Sequence, residues 1–175
     1  MSPMKLADTL IRIDEFLLDR VFQPITNRLG DKPSAFDVGI SLELGAVVLE
    51  LAADAALFAI GQLSWSAGLW DGFSCACGMW FYLFMVRQRS LVRPGRPNPL
   101  RLMYRSMRLL ALGFALWSVV AAATSEPAGT LSYAFNALSN FAFVAGMYLI
   151  SCQPRPPGWR ATQRRPTGHI APSFT

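Results

Sequence analysis

The chain has 175 residues, 53% of them hydrophobic and only 15% charged, with a formal net charge of +5. A typical soluble domain is about one-quarter charged, so this composition excludes a disordered chain, a collagen-like chain and a disulfide scaffold, and it argues against a soluble enzyme. With a mean hydropathy of +0.32, the expected class is an all-α integral membrane protein.

A sequence pI near 9.6 raises nucleic-acid binding, but the distribution of charge argues against it. The 16 basic residues fall in three groups: five before residue 33, seven between 87 and 108, and four after 154. No basic residue occurs at 33–86 or 109–154. Such segregation is what the positive-inside rule produces, and nucleic acid is not an expected partner.

Residues 2–23 read as an amphipathic helix. Leu6, Leu10, Ile13, Leu17 and Val21 recur at helical spacing, while Asp8, Arg12, Glu15 and Asp19 fall on the opposite face. Pro24 is expected to stop it. Charges interrupt the segment too often for a span, so it is expected to lie along the membrane or against a partner. Residues 1–32 form this helix and its linker.

Four apolar runs follow, at about 37–62, 67–86, 103–124 and 130–151, each meeting the roughly 20-residue requirement for crossing hydrocarbon. The connections at 63–66 and 125–129 are short, which predicts a four-helix bundle over 33–152 made of two antiparallel hairpins. The 87–108 connection carries seven arginines and no acid, whereas the short connections hold no basic residue and only Glu126. Both termini and the central connection are therefore expected in the cytoplasm, with bacterial inner membrane as the expected location. Trp65, Trp70 and Tyr133 would then sit at the outer interface.

The central stretch RPGRPNPLR and the tail at 153–175 are rich in proline and arginine. They are expected to be extended, with arginines meeting anionic headgroups. Small-xxx-small pairs at Ser74 and Gly78, Ala52 and Ala56, and Ala142 and Gly146 predict close helix contacts.

Motifs for chemistry are scarce. The single histidine, His169, lies in the tail, and no GxGxxG, P-loop, GxSxG or HExxH pattern occurs. Cys75 and Cys77, two residues apart on a helix, point about 200° from one another, and with Cys152 they read as packing residues. No enzyme activity, metal or cofactor is expected.

The first apolar run is the exception, because it carries Glu43, Glu50 and Asp54 on one helical face. Counted from an outer end near 62, Asp54 lies about 12 Å deep and Glu50 about 18 Å deep. A carboxylate at that depth costs roughly 2.5–3.5 kcal/mol on insertion scales and normally faces protein or water. Asn136 and Asn140 of the fourth run lie at about 9 and 15 Å. Asn136 is thus matched with Asp54 and Asn140 with Glu50, a polar cluster inside the membrane. Arg108 is the expected ion-pair partner of Glu43.

Two functions are compatible with these features. The first is an accessory or scaffold subunit of a larger membrane assembly, contacting other subunits or further copies of itself. It draws on the missing catalytic motifs and on the acidic polar face of the N-terminal helix. The second is a small proton- or cation-coupled transporter or channel built on Glu50.

Overall fold

The structure, a computed structural model, describes residues 3–29, 33–124 and 129–154, with side chains from residue 8 onward. Among these residues the secondary structure is helical throughout, with no strand. Of the expected outer connection at 125–129, residues 125–128 lie outside the described residues, as does the tail beyond 154.

The N-terminal element is longer than its proline suggests. Helix α1 (Pro3–Phe16) passes into a π-helical segment (Leu17–Phe22) and then into α2 (Gln23–Arg28), where Pro24 sits in the first turn. A proline at that position gives up an N–H that the start of a new helical segment does not need. The run therefore ends at Arg28, and the expected stop at Pro24 is corrected.

Helix α3 (Ala35–Ala59) starts at a capping box. The Asp37 amide donates to Ser34 Oγ at 3.2 Å and the Ser34 amide donates to the Asp37 carboxylate at 3.2 Å, so two otherwise orphaned donors are satisfied. Helix α4 (Trp65–Arg87) begins at Ser64, whose hydroxyl accepts from the Ala67 amide. Helices α5 (Leu100–Met103), α6 (Arg105–Thr124) and α7 (Thr130–Ser151) follow among the described residues. Three helical segments, at Trp65–Leu91, Arg105–Thr124 and Thr130–Ser151, are long and apolar enough to cross a membrane. This makes the chain an integral membrane protein in kind. Helix α3 is equally long, but its carboxylates set it apart from those three.

Helix α7 is the centre of the bundle, packing most extensively on α3 and next on α6, while α4 lies against α3. Two glycines set the α3–α7 distance. A Cβ on Gly39 would lie 2.9 Å from the Gly146 carbonyl, and one on Gly146 would lie 2.8 Å from the Gly39 carbonyl. Backbone meets backbone there because neither residue has a side chain. Further along the same seam, Ser139 Oγ donates to the Ala46 carbonyl at 2.8 Å. These two contacts make α3 and α7 antiparallel.

The well-packed core gathers at the arginine-rich end. Phe36, Met85, Leu100, Tyr104, Met147 and Ile150 form one cluster; Leu18, Ala115, Val144, Tyr148 and Cys152 form another. The central connection joins this core instead of lying extended, which corrects that expectation. Asn98 is buried and donates to the carbonyls of Ile150 at 2.7 Å and Cys152 at 2.8 Å. It thereby satisfies carbonyls that the end of α7 leaves unpaired. Gln153 ties the same corner to the N-terminal element, its amide donating to Gln23 Oε1 at 2.9 Å. Asn98→Ala should therefore strand buried carbonyls and cost about 1–3 kcal/mol, read as a lower melting temperature in detergent. A wild-type melting curve would mean that the connection packs elsewhere.

Candidate functional site

Arg108, a candidate from sequence, is fully buried, but its partner is Asp14 and not Glu43. The guanidinium Nε donates to Asp14 Oδ1 at 2.9 Å and one terminal nitrogen donates to Oδ2 at 2.6 Å, in the two-pronged geometry that suits arginine and carboxylate. Its other donors reach Ser151 Oγ at 2.8 Å and the Arg101 carbonyl at 3.0 Å. The Tyr148 ring lies 5.3 Å below the guanidinium carbon, and Phe22 stacks on that ring at 4.8 Å. Arg105 pairs with Glu15 at 3.0 Å and Arg101 with Asp19 at 2.7 Å. Asp14, Glu15 and Asp19 thus face the chain's own arginines.

This docking sets an acidic edge of the helix, and not the centre of its apolar stripe, against the bundle. Asp14 and Leu18 are buried against the bundle, whereas Leu10, Ile13, Phe16 and Val21 are exposed. Leu10, Ile13 and Val21 of the apolar stripe are thus turned outward, while Leu17 packs on the bundle's core. Asp14 went unnoticed because it falls beside the apolar stripe on the helical wheel. Its signal was an acid next to Ile13, matched by the second of two arginines at the start of an otherwise apolar run.

The other candidates lie along the α3–α7 seam. Glu43, Glu50, Asn136 and Asn140 line one cavity of about 420 Å³ between α3, α4 and α7, with Met107 of α6 at its edge. Glu43 is only 2% exposed, and its Oε1 is buried without a hydrogen-bond partner. That oxygen sits over Gly146, where a Cβ would come within 2.7 Å of it. Arg108 is fully engaged elsewhere, so Glu43 has no basic partner among the described residues.

The seam also corrects the depth matching. Gly39 meets Gly146 and Ala46 meets Ser139, a register that sets Glu50 level with Phe135 and Asn136, and Asp54 near Ser132. Counting both helices from one outer plane misaligned them, because α3 runs about a turn past the start of α7. Asn140 does not hold Glu50; its side-chain amide donates to the Asn136 carbonyl and Oδ1, both at 2.9 Å. Asp54 is not among the residues lining the cavity and interacts with Asp71 of α4. Three aromatic residues missed from sequence, Trp80, Phe81 and Phe143, form an apolar wall of the cavity. Phe81 and Phe143 touch, with ring centroids 5.4 Å apart.

Chemically, the cavity offers two carboxylates, two amides and the Ser74 hydroxyl beside an aromatic wall. Such a set can bind a proton or a cation. Among the described residues no group of three or more His, Cys, Asp or Glu side chains is placed to hold a metal ion. Cys77 also lines the cavity and is exposed, whereas Cys75 and Cys152 are buried. Burial pushes the Cys152 thiol up to about 11, which leaves it unreactive near neutral pH. Compared with protein-family models, curated proteins and solved structures, the chain matches none.

Proposed function

We propose that this chain is a four-span membrane protein that binds and passes a proton or cation through the cavity on the α3–α7 seam. The observation that carries the reading is Glu43, buried on that cavity with an oxygen that nothing satisfies. A buried carboxylate without a partner is costly, and a mobile cation or proton would offset the cost. Asp14, Glu15 and Asp19 are paired within the chain, which weakens the ground for an external protein at that face.

Helix α3 is taken as the fourth span. Leu44, Val48, Leu51 and Phe58 are exposed along it at helical spacing, the pattern of a lipid-facing stripe. Its carboxylates turn inward instead, Glu43 and Glu50 to the cavity and Asp54 to α4. The helices then alternate as two antiparallel hairpins, with the arginine-rich end in the cytoplasm of a bacterial inner membrane. In intact cells, a cysteine at Ser64 should react with an impermeant thiol reagent and one at Ser90 should not. Reversed labelling would overturn the orientation.

Transport is tested with the purified protein in liposomes holding a pH-sensitive dye. Glu43→Gln and Glu50→Gln keep size and hydrogen bonding but cannot ionise, so proton-linked flux should fall at least tenfold in each while the fold persists. Undiminished flux in both variants would sink the reading.

A second reading, an accessory subunit of a larger assembly, is favoured by the outward stripe Leu10, Ile13, Phe16 and Val21 on α1 and its π-helical extension. Serine at Leu10, Ile13 and Phe16 would spoil that stripe while leaving Asp14 on Arg108. On this reading, a stoichiometric complex purified in mild detergent should dissociate in the triple variant. A homogeneous small oligomer that the variant leaves unchanged would favour transport.

A further inference from the structure

The cavity also specifies what kind of cation it suits, an inference that rests on the reading of the cavity as the working site. Glu43 and Glu50 are seven residues apart, a rise of about 10.5 Å along α3. One bare metal ion holds oxygen ligands at roughly 2.0–2.6 Å, so it cannot reach both. The described residues supply no three-residue metal cluster either. A volume of about 420 Å³ is many times the roughly 30 Å³ share of one water and lies within the range of small-molecule sites.

The walls are chemically uneven. On the α3–α7 register, Glu43 lies level with Ala142, beside Phe143. A Cβ on Gly78 would lie 3.1 Å from Val47, which places Trp80 and Phe81 toward the Glu43 end of the cavity. On these registers Trp80, Phe81 and Phe143 lie nearer the level of Glu43, and Asn136 nearer that of Glu50. A carboxylate with aromatic faces beside it is the arrangement that attracts a bulky, weakly hydrated cation, since ring faces carry negative potential. A neutral apolar guest would leave Glu43 uncompensated.

We propose that the cavity between α3, α4 and α7 binds an organic ammonium ion, its charge against Glu43 and its apolar body against Trp80, Phe81 and Phe143. Cys77 reports on occupancy because it lines the same cavity and is exposed. The experiment uses the full chain with Cys75 and Cys152 replaced by serine, in phosphatidylcholine nanodiscs. The probe is phenyltrimethylammonium, with tert-butylbenzene as its neutral isostere. The ammonium should slow maleimide alkylation of Cys77 at least fivefold and saturably, and the neutral isostere should not. Glu43→Gln should weaken that protection at least tenfold. Trp80→Leu, at an exposed side chain that the fold does not depend on, should weaken it severalfold. Equal protection by tert-butylbenzene, no protection by the ammonium, or unchanged protection in Glu43→Gln would each overturn the proposal. Glu50-dependent proton flux without ammonium protection would overturn the ligand class and leave the transport reading standing.

Discussion

Replacing Asp14 with leucine should destabilise the protein by about 3–5 kcal/mol and release the N-terminal helix, because the change leaves a buried charge without its counter-ion. Arg108 would keep only Ser151, the Arg101 carbonyl and the Tyr148 face. The reverse change, Arg108→Met, should cost less. In that variant Asp14 still has Arg105, whose Nε lies 3.8 Å away and is itself short of a hydrogen bond. The double variant Asp14→Leu, Arg108→Met should recover most of the loss, since apolar residues of similar volume often replace a buried ion pair at little cost. Unfolding in detergent measures the stabilities, and tryptic cleavage at the exposed Arg12 and Arg20 reports release of the helix. Equal losses in both single variants and no recovery in the double would mean that the pair is not coupled as described.

The membrane class and the helix limits were legible because they depend on local composition. The fourth run was placed at 130–151, and α7 spans those residues. The second run, at 67–86, and α4 differ by two residues or fewer at either end. Contacts between helices were less legible. Depth counting brought Glu50 and the two asparagines to one region, since any membrane helix rises by the same amount per residue. It could not place them within a turn, because that depends on where α3 and α7 cross. The crossing is set by Gly39 and Gly146, and only Gly146 stood out as part of a small-residue pair. Arg108 was matched to Glu43 on depth alone. Asp14 competes from a helix that rests on the bundle, and its two-pronged contact takes up the donors that depth counting assigned to Glu43. The central connection was misread for a related reason. Its proline content favours extended backbone, but Asn98 offers an amide to the free end of α7, and that tertiary bond decides its conformation.

The same crossing gives a sharp test of the seam. Gly146→Ala should destabilise the bundle by about 1–3 kcal/mol, the usual range for overpacking. Its new Cβ would lie 2.8 Å from the Gly39 carbonyl and 2.7 Å from Glu43 Oε1. The carboxylate can swing aside, but the carbonyl belongs to the backbone of α3, so the helices must separate. Gly39→Ala meets the same obstacle from the other side, with the Gly146 carbonyl at 2.9 Å and Ile150 Cγ1 at 2.7 Å. Gly45→Ala is the control, since nothing lies within 4 Å of its added Cβ and alanine is the better helix former. Melting temperatures in one detergent should fall for Gly39→Ala and Gly146→Ala and hold or rise for Gly45→Ala. Gly146→Ala should also displace Glu43 and change the rate at which Cys77 is alkylated, because both residues line one cavity. Wild-type stability and alkylation in Gly146→Ala would mean that α3 and α7 do not cross there, and the register that places Glu50 beside Asn136 would fall with it.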